Sequence, residues 1–183
     1  TMTIRSWLVC FHSTIFALLI GGCTDPSSVE KVNARDREVQ KEILETDVHD
    51  EALVRAAIEG IKLHDEYTPA NFESKQRAYI ERLKPEMRRP ARTYLPNRVD
   101  QIRKSQVSNI VKPLPESSQL SKTERDDAVR VQIIIQTINQ QQTRGKTHEP
   151  ERMVYIVHLL VYDLERIFYE SIAKKAVDSI PLE

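Results

Sequence analysis

Glycine is the residue whose scarcity most restricts the fold of this chain. Only four glycines occur among its 183 residues, and two of them, Gly21 and Gly22, are adjacent near the N-terminus. Tight β-hairpin turns favour glycine because it adopts positive φ without steric cost. The remaining sequence is rich in Glu, Lys, Arg, Gln, Ile and Leu, most of which favour helix. These observations predict an all-α fold, a bundle of five or six helices.

The charge balance excludes a general attraction to polyanions. Lys and Arg together number 27, and Asp and Glu also number 27. A neutral chain has no overall positive field to draw it to DNA or RNA. We therefore expect no nucleic-acid partner.

The N-terminus has the three parts of a secretory signal. Arg5 supplies a positive start, and residues 7–20 form an apolar run. At about fourteen residues this run is shorter than the roughly 20 that a membrane-spanning helix needs. Gly21 and Gly22 follow, and small residues are typical of the position before a cleavage site.

The four residues Ile20-Gly21-Gly22-Cys23 resemble the lipobox of bacterial lipoproteins. The resemblance implies cleavage before Cys23 and lipid on its sulfur, which would hold the chain to a membrane. It divides the chain into a signal peptide (1–22), a lipidated tether (23–27) and a single helical domain (28–183). Thr24, in place of aspartate, implies the outer membrane if the source is Gram-negative. An ordinary signal peptide or an uncleaved anchor that happens to carry a cysteine is the alternative.

Cysteine positions limit the chemistry of the mature protein. Cys10 lies inside the leader, so cleavage would leave Cys23 as the one remaining cysteine. A disulfide framework and a cysteine-based zinc site both need more than one. We expect no cofactor.

Capping residues, prolines and apolar spacing predict the helices. Thr68 before Pro69, for example, is typical of a helix start. Three prolines (Pro85, Pro90 and Pro96) predict an irregular basic connector between the third helix and the fourth. The last helix is expected to be a core helix around which the others pack. The six predicted ranges are 27–45, 48–64, 68–84, 97–112, 121–142 and 148–179.

Residues 128–136 fit two periodicities. Alternating apolar residues are typical of a strand, and here they are Val129, Val131, Ile133 and Ile135. The same region also fits one face of a helix through Ala128, Val131, Ile135 and Ile138. We favour helix, because no partner strand is visible in the sequence.

Two tripeptides carry residue types that bind metals, His49-Asp50-Glu51 and His64-Asp65-Glu66. Consecutive side chains on a helix point about 100° apart, so neither tripeptide can converge on one ion. Along a continuous helix the two copies would lie about 22 Å apart. We predict no metal site.

The basic connector offers arginines for an anionic surface. Arg88, Arg89 and Arg92 are its clustered members. Guanidinium groups bind phosphate and carboxylate well. Pairing with the acidic first and second helices is the alternative, and we favour that structural interpretation.

A stripe of polar-tipped residues follows helical spacing near the C-terminus. Its members, at intervals of three and four, are Tyr155, His158, Tyr162, Glu165 and Tyr169. The stripe is interpreted first as a second packing face and then as a protein-binding face, since tyrosine is favoured at interfaces. A catalytic pairing of His158 with Glu165 is disfavoured, because seven helical positions separate them by roughly 10 Å. No catalytic residue is predicted.

Together these features predict a lipid-anchored bacterial envelope protein that faces the periplasm and acts through protein–protein contacts. An accessory or scaffold subunit of an envelope assembly is the first hypothesis. A periplasmic immunity or inhibitor lipoprotein that neutralises a toxin or hydrolase is the second. An enzyme with an unrecognised active site is the third, because the sequence shows no nucleophile motif, phosphate loop or zinc motif.

Overall fold

The computed structural model describes residues 26–125 and 128–177, with side chains from residue 34 onward. The predicted leader and lipobox, including Cys23, lie outside the described residues. In the described part, helices come first and strands follow. The helices are α1 (Pro26–Glu45), α2 (Asp50–Asp65), α3 (Phe72–Glu81) and α4 (Pro85–Ser105). The strands are β1 (Val107–Arg125), β2 (Ala128–Thr143), β3 (Lys146–Thr147), β4 (Glu151–Val161) and β5 (Ile167–Ala176).

The strands form one antiparallel sheet in the order β1-β2-β4-β5, and the short β3 pairs with the end of β2. In the register of β2 and β4, Ile133 lies opposite Val157. A bulge shifts the pairing of β4 with β5 between His158 and Leu159. Helices cover one face of this sheet, which is the arrangement of an α+β fold.

The core lies between that sheet face and the helices. Side chains alternate along a strand, so the odd-numbered residues of β2 and β4 share the helix-facing side. They are almost fully buried: Val129, Val131, Ile133 and Ile135 on β2, and Tyr155, Val157, Leu159 and Val161 on β4. From the helices they meet Ile43, Leu53, Ala57, Ile61 and Phe72. Each large aliphatic side chain buried here contributes about 1.5–3 kcal/mol.

The predicted all-α fold is wrong, and so is the helical description of residues 28–183. The described residues of the ranges 121–142 and 148–179 form strands rather than the predicted helices, namely the end of β1 and β2, β4 and β5. Their β-branched and aromatic residues favour a pleated, half-buried surface. The alternation at residues 129–135 was the correct signal. The competing helical face existed because apolar residues occupy most positions of that segment.

The predicted irregular connector is also wrong, because residues 85–105 form the continuous helix α4. Pro85 starts this helix, where a missing N–H costs nothing. Pro90 and Pro96 lie inside it, and each removes one backbone hydrogen bond. Burial of Leu95 and Val99 against the fold offsets that loss. The predicted fourth helix, 97–112, continues only to Ser105, and Gln106 then turns the chain into β1 with a φ of 53°.

The first three predicted helices agree with α1, α2 and α3 to within a few residues. Within the described ranges, no helix is both long enough and apolar enough to cross a membrane.

Candidate functional site

The five residues of the predicted stripe are not on one surface. Tyr155 and Tyr169 are buried on the helix-facing side of the sheet, at 0% and 2% exposure. His158 lies on the opposite sheet face, because its position on β4 has the other parity. Tyr162 and Glu165 belong to the connection between β4 and β5. Side chains alternate between the two faces of a strand, so residues that would share one face of a helix lie on different sides of the sheet.

Tyr155 belongs to a buried polar cluster centred on Asp65, the last residue of α2. The Tyr155 hydroxyl donates to Oδ2 of Asp65 at 2.6 Å, and Lys174 Nζ on β5 lies 2.8 Å from the same oxygen. His64 Nδ1 lies 3.0 Å from Oδ1. A carboxylate at a helix C-terminus opposes the helix dipole, so the positive charge of Lys174 is favourable there.

Hydrogen bonds extend this cluster into β2. Asn139 Nδ2 donates to the Tyr155 hydroxyl at 2.8 Å, and the Thr137 hydroxyl donates to Asn139 Oδ1 at 2.7 Å. Buried polar groups of this kind are stable only when each has a partner. We call Asp65, Tyr155, Lys174, Asn139 and Thr137 the Asp65 cluster.

The electrostatics of the cluster keep Asp65 ionised and Tyr155 protonated. Burial by itself raises the pKa of Asp65, but His64, Lys174 and Tyr155 outweigh it and hold that pKa well below its usual value. Burial, followed by the charge of Asp65, raises the pKa of Tyr155 well above its usual value. A group that neither gains nor loses a proton near neutral pH does no acid–base work. The cluster therefore joins α2 to the sheet.

Residues of the two tripeptides that carry metal-binding residue types contact neighbouring charged side chains instead. His49 Nε2 lies 3.4 Å from a Glu42 oxygen, and Asp50 pairs with Lys122 of β1. Among the residues that the structure describes, no group of three His, Cys, Asp or Glu side chains is placed to hold a metal. Sequence reasoning noticed Asp65 but did not connect it with Tyr155 and Lys174, which come from strands far away in the chain.

Tyr169 also has a packing role. Its hydroxyl donates to the Ala56 carbonyl at 2.9 Å, and its ring stacks on Tyr79 at 5.7 Å between centroids. Burial, with Tyr169 and Asp65 nearby, raises the pKa of Tyr79 to about 12. These contacts fix β5 against α2 and α3.

His158 forms a polar row across three strands on the sheet face opposite the helices. Its Nδ1 lies 2.8 Å from the Ser171 hydroxyl, and its Nε2 lies 3.0 Å from Gln132 Oε1. Burial and the Arg130 charge lower the pKa of His158, and Glu170 opposes them more weakly. A catalytic base needs a ring nitrogen within reach of a substrate proton, and both nitrogens of His158 are already occupied by Ser171 and Gln132, neither of which is a carboxylate. The row therefore fits a cross-strand lock better than a catalytic pair.

The connection between β4 and β5 is a rigid turn. The Asp163 carboxylate accepts hydrogen bonds from the backbone N–H groups of Glu165 and Arg166, at 2.8 and 2.7 Å. Arg166 then pairs with Asp36 of α1 at 2.6 Å. Gln40 of α1 donates to the Tyr162 carbonyl at 3.0 Å. α1 thus holds the turn in place.

Two grooves flank this turn, and Arg166 lines both. The first, about 450 Å³, is lined by Arg35, Asp36, Val39, Asp163, Leu164, Glu165 and Arg166. The second, about 330 Å³, is lined by Lys84, Pro85, Glu86, Tyr162, Arg166 and Phe168. Leu164 is 42% exposed at the tip of the turn. Apolar side chains surrounded by a polar rim are the usual anatomy of a protein interface. We call the residues that line the two grooves the turn surface.

The arginines predicted to contact an anionic surface mostly have partners within the fold. Arg88 Nε donates to the Leu83 carbonyl at 2.9 Å, and its guanidinium lies 5.8 Å from the Phe168 ring centroid. Arg92 pairs with Glu81 at 2.7 Å. Arg89 is exposed. Arg88 and Arg92 therefore contact the fold, but their partners lie on α3, just after α3 and on β5, and not on the acidic first and second helices that the structural interpretation named.

No family model matches the sequence, and no curated protein matches it. Solved structures do match the fold. The periplasmic domain of DotI superposes with a TM-score of 0.57 at 10% sequence identity, over 70% of this chain and 96% of that domain. This chain has the fold of that periplasmic domain. CagV, a VirB8 homologue of the T4SS from Helicobacter pylori strain 26695, gives a TM-score of 0.46 at 11% identity, over 69% of this chain and 98% of its own.

Proposed function

We propose that this chain is a periplasmic subunit of a bacterial envelope assembly that acts through protein contacts. A secretion or conjugation apparatus is the class of assembly that we propose. The fold is the observation that carries this proposal, because a solved domain of the same fold, that of DotI, is periplasmic. The secretory signal pattern at residues 2–22 supports the same location independently.

The proposal includes a lipid anchor on Cys23. The lipobox residues Ile20 to Cys23 support it. A triacylated cysteine would bind a bilayer stably, since each buried CH₂ contributes about 0.8 kcal/mol. If the source is Gram-negative, Thr24 after the cysteine, in place of aspartate, supports sorting of the lipoprotein to the outer membrane.

The proposed anchor would place the turn surface on the membrane-facing side of the domain. Asp36 and Gln40 of α1 contact the turn, and the helix extends another ten residues back to Pro26. At 1.5 Å per residue, that is about 15 Å beyond the turn. Cys23 precedes Pro26 by only three residues.

The turn surface is our proposed contact with a neighbouring subunit. Tyr162 and Glu165, two residues of the predicted partner-binding stripe, belong to it. Leu164 is exposed although nothing in its turn requires an apolar side chain there. An exposed leucine between two grooves, held by a rigid turn, is a preformed contact that loses little entropy on binding.

Photo-crosslinking in cells tests the contact. A photoreactive phenylalanine analogue at Leu164 of the full-length protein should form a covalent product with another protein of the envelope. The same analogue at Thr93, an exposed residue of α4, is the control and should form much less. Equal yields at both positions, or no protein product at Leu164, would contradict the proposed contact.

Metabolic labelling with a palmitate analogue tests the anchor. Cys23→Ser should remove the label and release the protein from the membrane fraction. Cys10→Ser is the matched control and should keep both. Label that persists in Cys23→Ser would refute the lipid assignment, whereas protease protection of the domain inside intact spheroplasts would refute the periplasmic location.

A further inference from the structure

The sheet face opposite the helices carries an unusual excess of positive charge. We call it the outer face, and strand register assigns its residues. Its cationic members from the strands are Lys112, Arg125, Arg130, Arg152 and Lys175, and Glu170 is the acidic residue that pairs with Arg125 and Arg130 there. The whole chain is neutral, so this face is a local departure from the average.

At the end of the outer face near the turn, the positive charge is compensated. Glu170 binds Arg125 and Arg130, each at 2.7 Å, and Lys84 lies 3.6 Å away. Three cations around one carboxylate stabilise the edge of the sheet. This end needs no external partner to explain it.

At the opposite end, three cations lack such compensation. Lys112, Ile138 and Arg152 lie side by side on β1, β2 and β4. Lys175 of β5 lies one row away. Within residues 34–125 and 128–177, no carboxylate lies within ion-pair distance of any of these three cations. We call Lys112, Arg152 and Lys175 the basic triad.

Aliphatic side chains lie between the members of the triad. Ile138 is flanked by Lys112 and Arg152, while Leu114 and Val154 lie on either side of Gln136 in the next row. Neighbouring strands are about 4.8 Å apart, which places Lys112 and Arg152 about 10 Å from each other. The patch therefore alternates cation and aliphatic group on a rigid scaffold.

We propose that the basic triad and its aliphatic floor bind an acidic amphipathic segment of a partner protein, with carboxylates flanking aliphatic side chains. Residues i and i+7 of a helix lie about 10 Å apart, which matches the separation of Lys112 and Arg152. Complementary charge sets the register and the apolar contact excludes water. This inference rests on the proposed role in an envelope assembly and names the chemistry of one contact.

Two other anionic partners fit the patch less well. The triad end lies nine residues of β2, about 30 Å, from the turn end, which α1 contacts through Asp36. A bilayer that holds Cys23 would therefore face the other end of the sheet. Single-stranded nucleic acid is bound by stacking on aromatic side chains, whereas this floor is aliphatic.

The test is a photoreactive phenylalanine analogue at Gln136, the exposed residue in the middle of the patch, in the full-length protein in cells. Mass spectrometry identifies the adduct. A protein segment with carboxylates flanking aliphatic residues supports the proposal. A lipid adduct, a nucleic-acid adduct or a segment without carboxylates overturns it.

Charge reversal separates specific contact from proximity. Arg152→Glu and Lys175→Glu should each lower the crosslinking yield at Gln136 about tenfold, because attraction becomes repulsion. Changing the carboxylates of the captured segment to lysine should restore the yield. Lys104→Glu makes the same charge change at an exposed position of α4 and is the matched control. A yield that is unaffected by the two reversals overturns the proposal.

The crosslinker at Leu164 distinguishes this inference from the proposed function. Crosslinked products at Leu164 with none at Gln136 would refute the proposed contact of the basic triad and would leave the proposed envelope role supported. Absence of protein products at both positions would remove both.

Discussion

The hydroxyl of Tyr155 donates a hydrogen bond of 2.6 Å to Oδ2 of Asp65, and both residues are buried. The two residues are far apart in sequence, so this bond ties the end of α2 to the middle of the sheet. The carboxylate remains ionised because Lys174 and His64 also contact it. An unpaired charge at this depth would cost several kcal/mol, by the order of magnitude that applies to buried ions.

Tyr155→Phe removes the hydroxyl from this cluster and leaves the Asn139 amide without its acceptor. We expect a loss of about 1–3 kcal/mol in the free energy of unfolding, the usual cost of a buried unsatisfied polar group. Urea denaturation measures it. Tyr94→Phe deletes the same atom at an exposed position of α4 and should change stability by less than about 0.5 kcal/mol. Equal effects of the two variants would contradict the importance of the cluster.

Asp65→Asn should change how stability depends on acid pH. The pKa of Asp65 is lowered in the folded protein, so its contribution is present above its unfolded value of about 3.8 and is lost as pH falls below that value. The stability difference between the native protein and Asp65→Asn should therefore shrink by about 1.4 kcal/mol per pH unit below pH 4. Denaturation from pH 6 to pH 2.5 measures this slope. A constant difference across that range would show that Asp65 titrates normally.

Gly60→Ala should destabilise the protein although alanine favours helix. A Cβ at Gly60 would lie 2.5 Å from Cε1 of Tyr169, a buried ring fixed by Tyr79 and the Ala56 carbonyl. The helix gain of about 0.5–1 kcal/mol is smaller than the usual overpacking cost of about 1–3 kcal/mol. Thermal melting checks the sign. A Gly60→Ala protein more stable than the native one would mean that Tyr169 moves easily.

The helices near the N-terminus could be predicted because their signals are local. The capping pattern at Thr68 and Pro69 and the apolar face of residues 53–61 lie within the elements that they define. The strands could not be predicted in this way, because their partners are distant. The strand conformation at Ile133 is stabilised by pairing with β4, where Val157 lies opposite. No feature of the sequence near Ile133 predicts that pairing, because the partner is distant in the chain.

The scarcity of glycine led to the wrong fold class because the turns between these strands are formed largely by other residues. The Asp163 carboxylate closes the β4–β5 turn by accepting a hydrogen bond from the Glu165 N–H, in place of a backbone carbonyl. Gln106 and Arg144 adopt positive φ without being glycine, and Gly145 supplies the one glycine of the β2–β3 turn. Few glycines therefore limit the choice of turn without excluding strands.

The candidate surfaces were only partly visible in the sequence for the same reason. Lys174 and Lys175 are adjacent, yet Lys174 contacts buried Asp65 while Lys175 lies on the outer face. Only the parity of β5 distinguishes them. Tyr162 and Glu165 were selected as partner-binding residues because they fit the spacing of a helix, but this region is not a helix. They lie at the surface because they belong to the β4–β5 turn.

His158→Gln should flatten the pH dependence of stability near neutrality. Burial and Arg130 lower the pKa of His158 in the folded state, with Glu170 opposing, and Gln132 and Ser171 complete its surroundings. The unfolded chain therefore binds the proton first, so stability is present above about pH 6.5 and is lost as pH falls.

Urea denaturation at pH 8 and pH 5 compares the native protein with His158→Gln. The native protein should lose more stability between these two pH values than the variant does. Ser171→Ala keeps the imidazole and should keep the pH dependence. An identical loss in native protein and His158→Gln would assign the titration to another group.

Arg88→Ala should destabilise the protein more than Arg89→Ala, although the two arginines are adjacent and equally charged. Arg88 donates to the Leu83 carbonyl, two residues after the end of α3, and its guanidinium lies over the Phe168 ring, so its removal should cost about 1–2 kcal/mol. Arg89 is exposed and should cost less than about 0.5 kcal/mol. Denaturant titration of both variants at one ionic strength gives the comparison. Because both variants lose one positive charge, any difference between them reports the contacts of Arg88 rather than the overall charge. A larger loss from Arg89→Ala would mean that the exposed arginine, not the packed one, holds α4 in place.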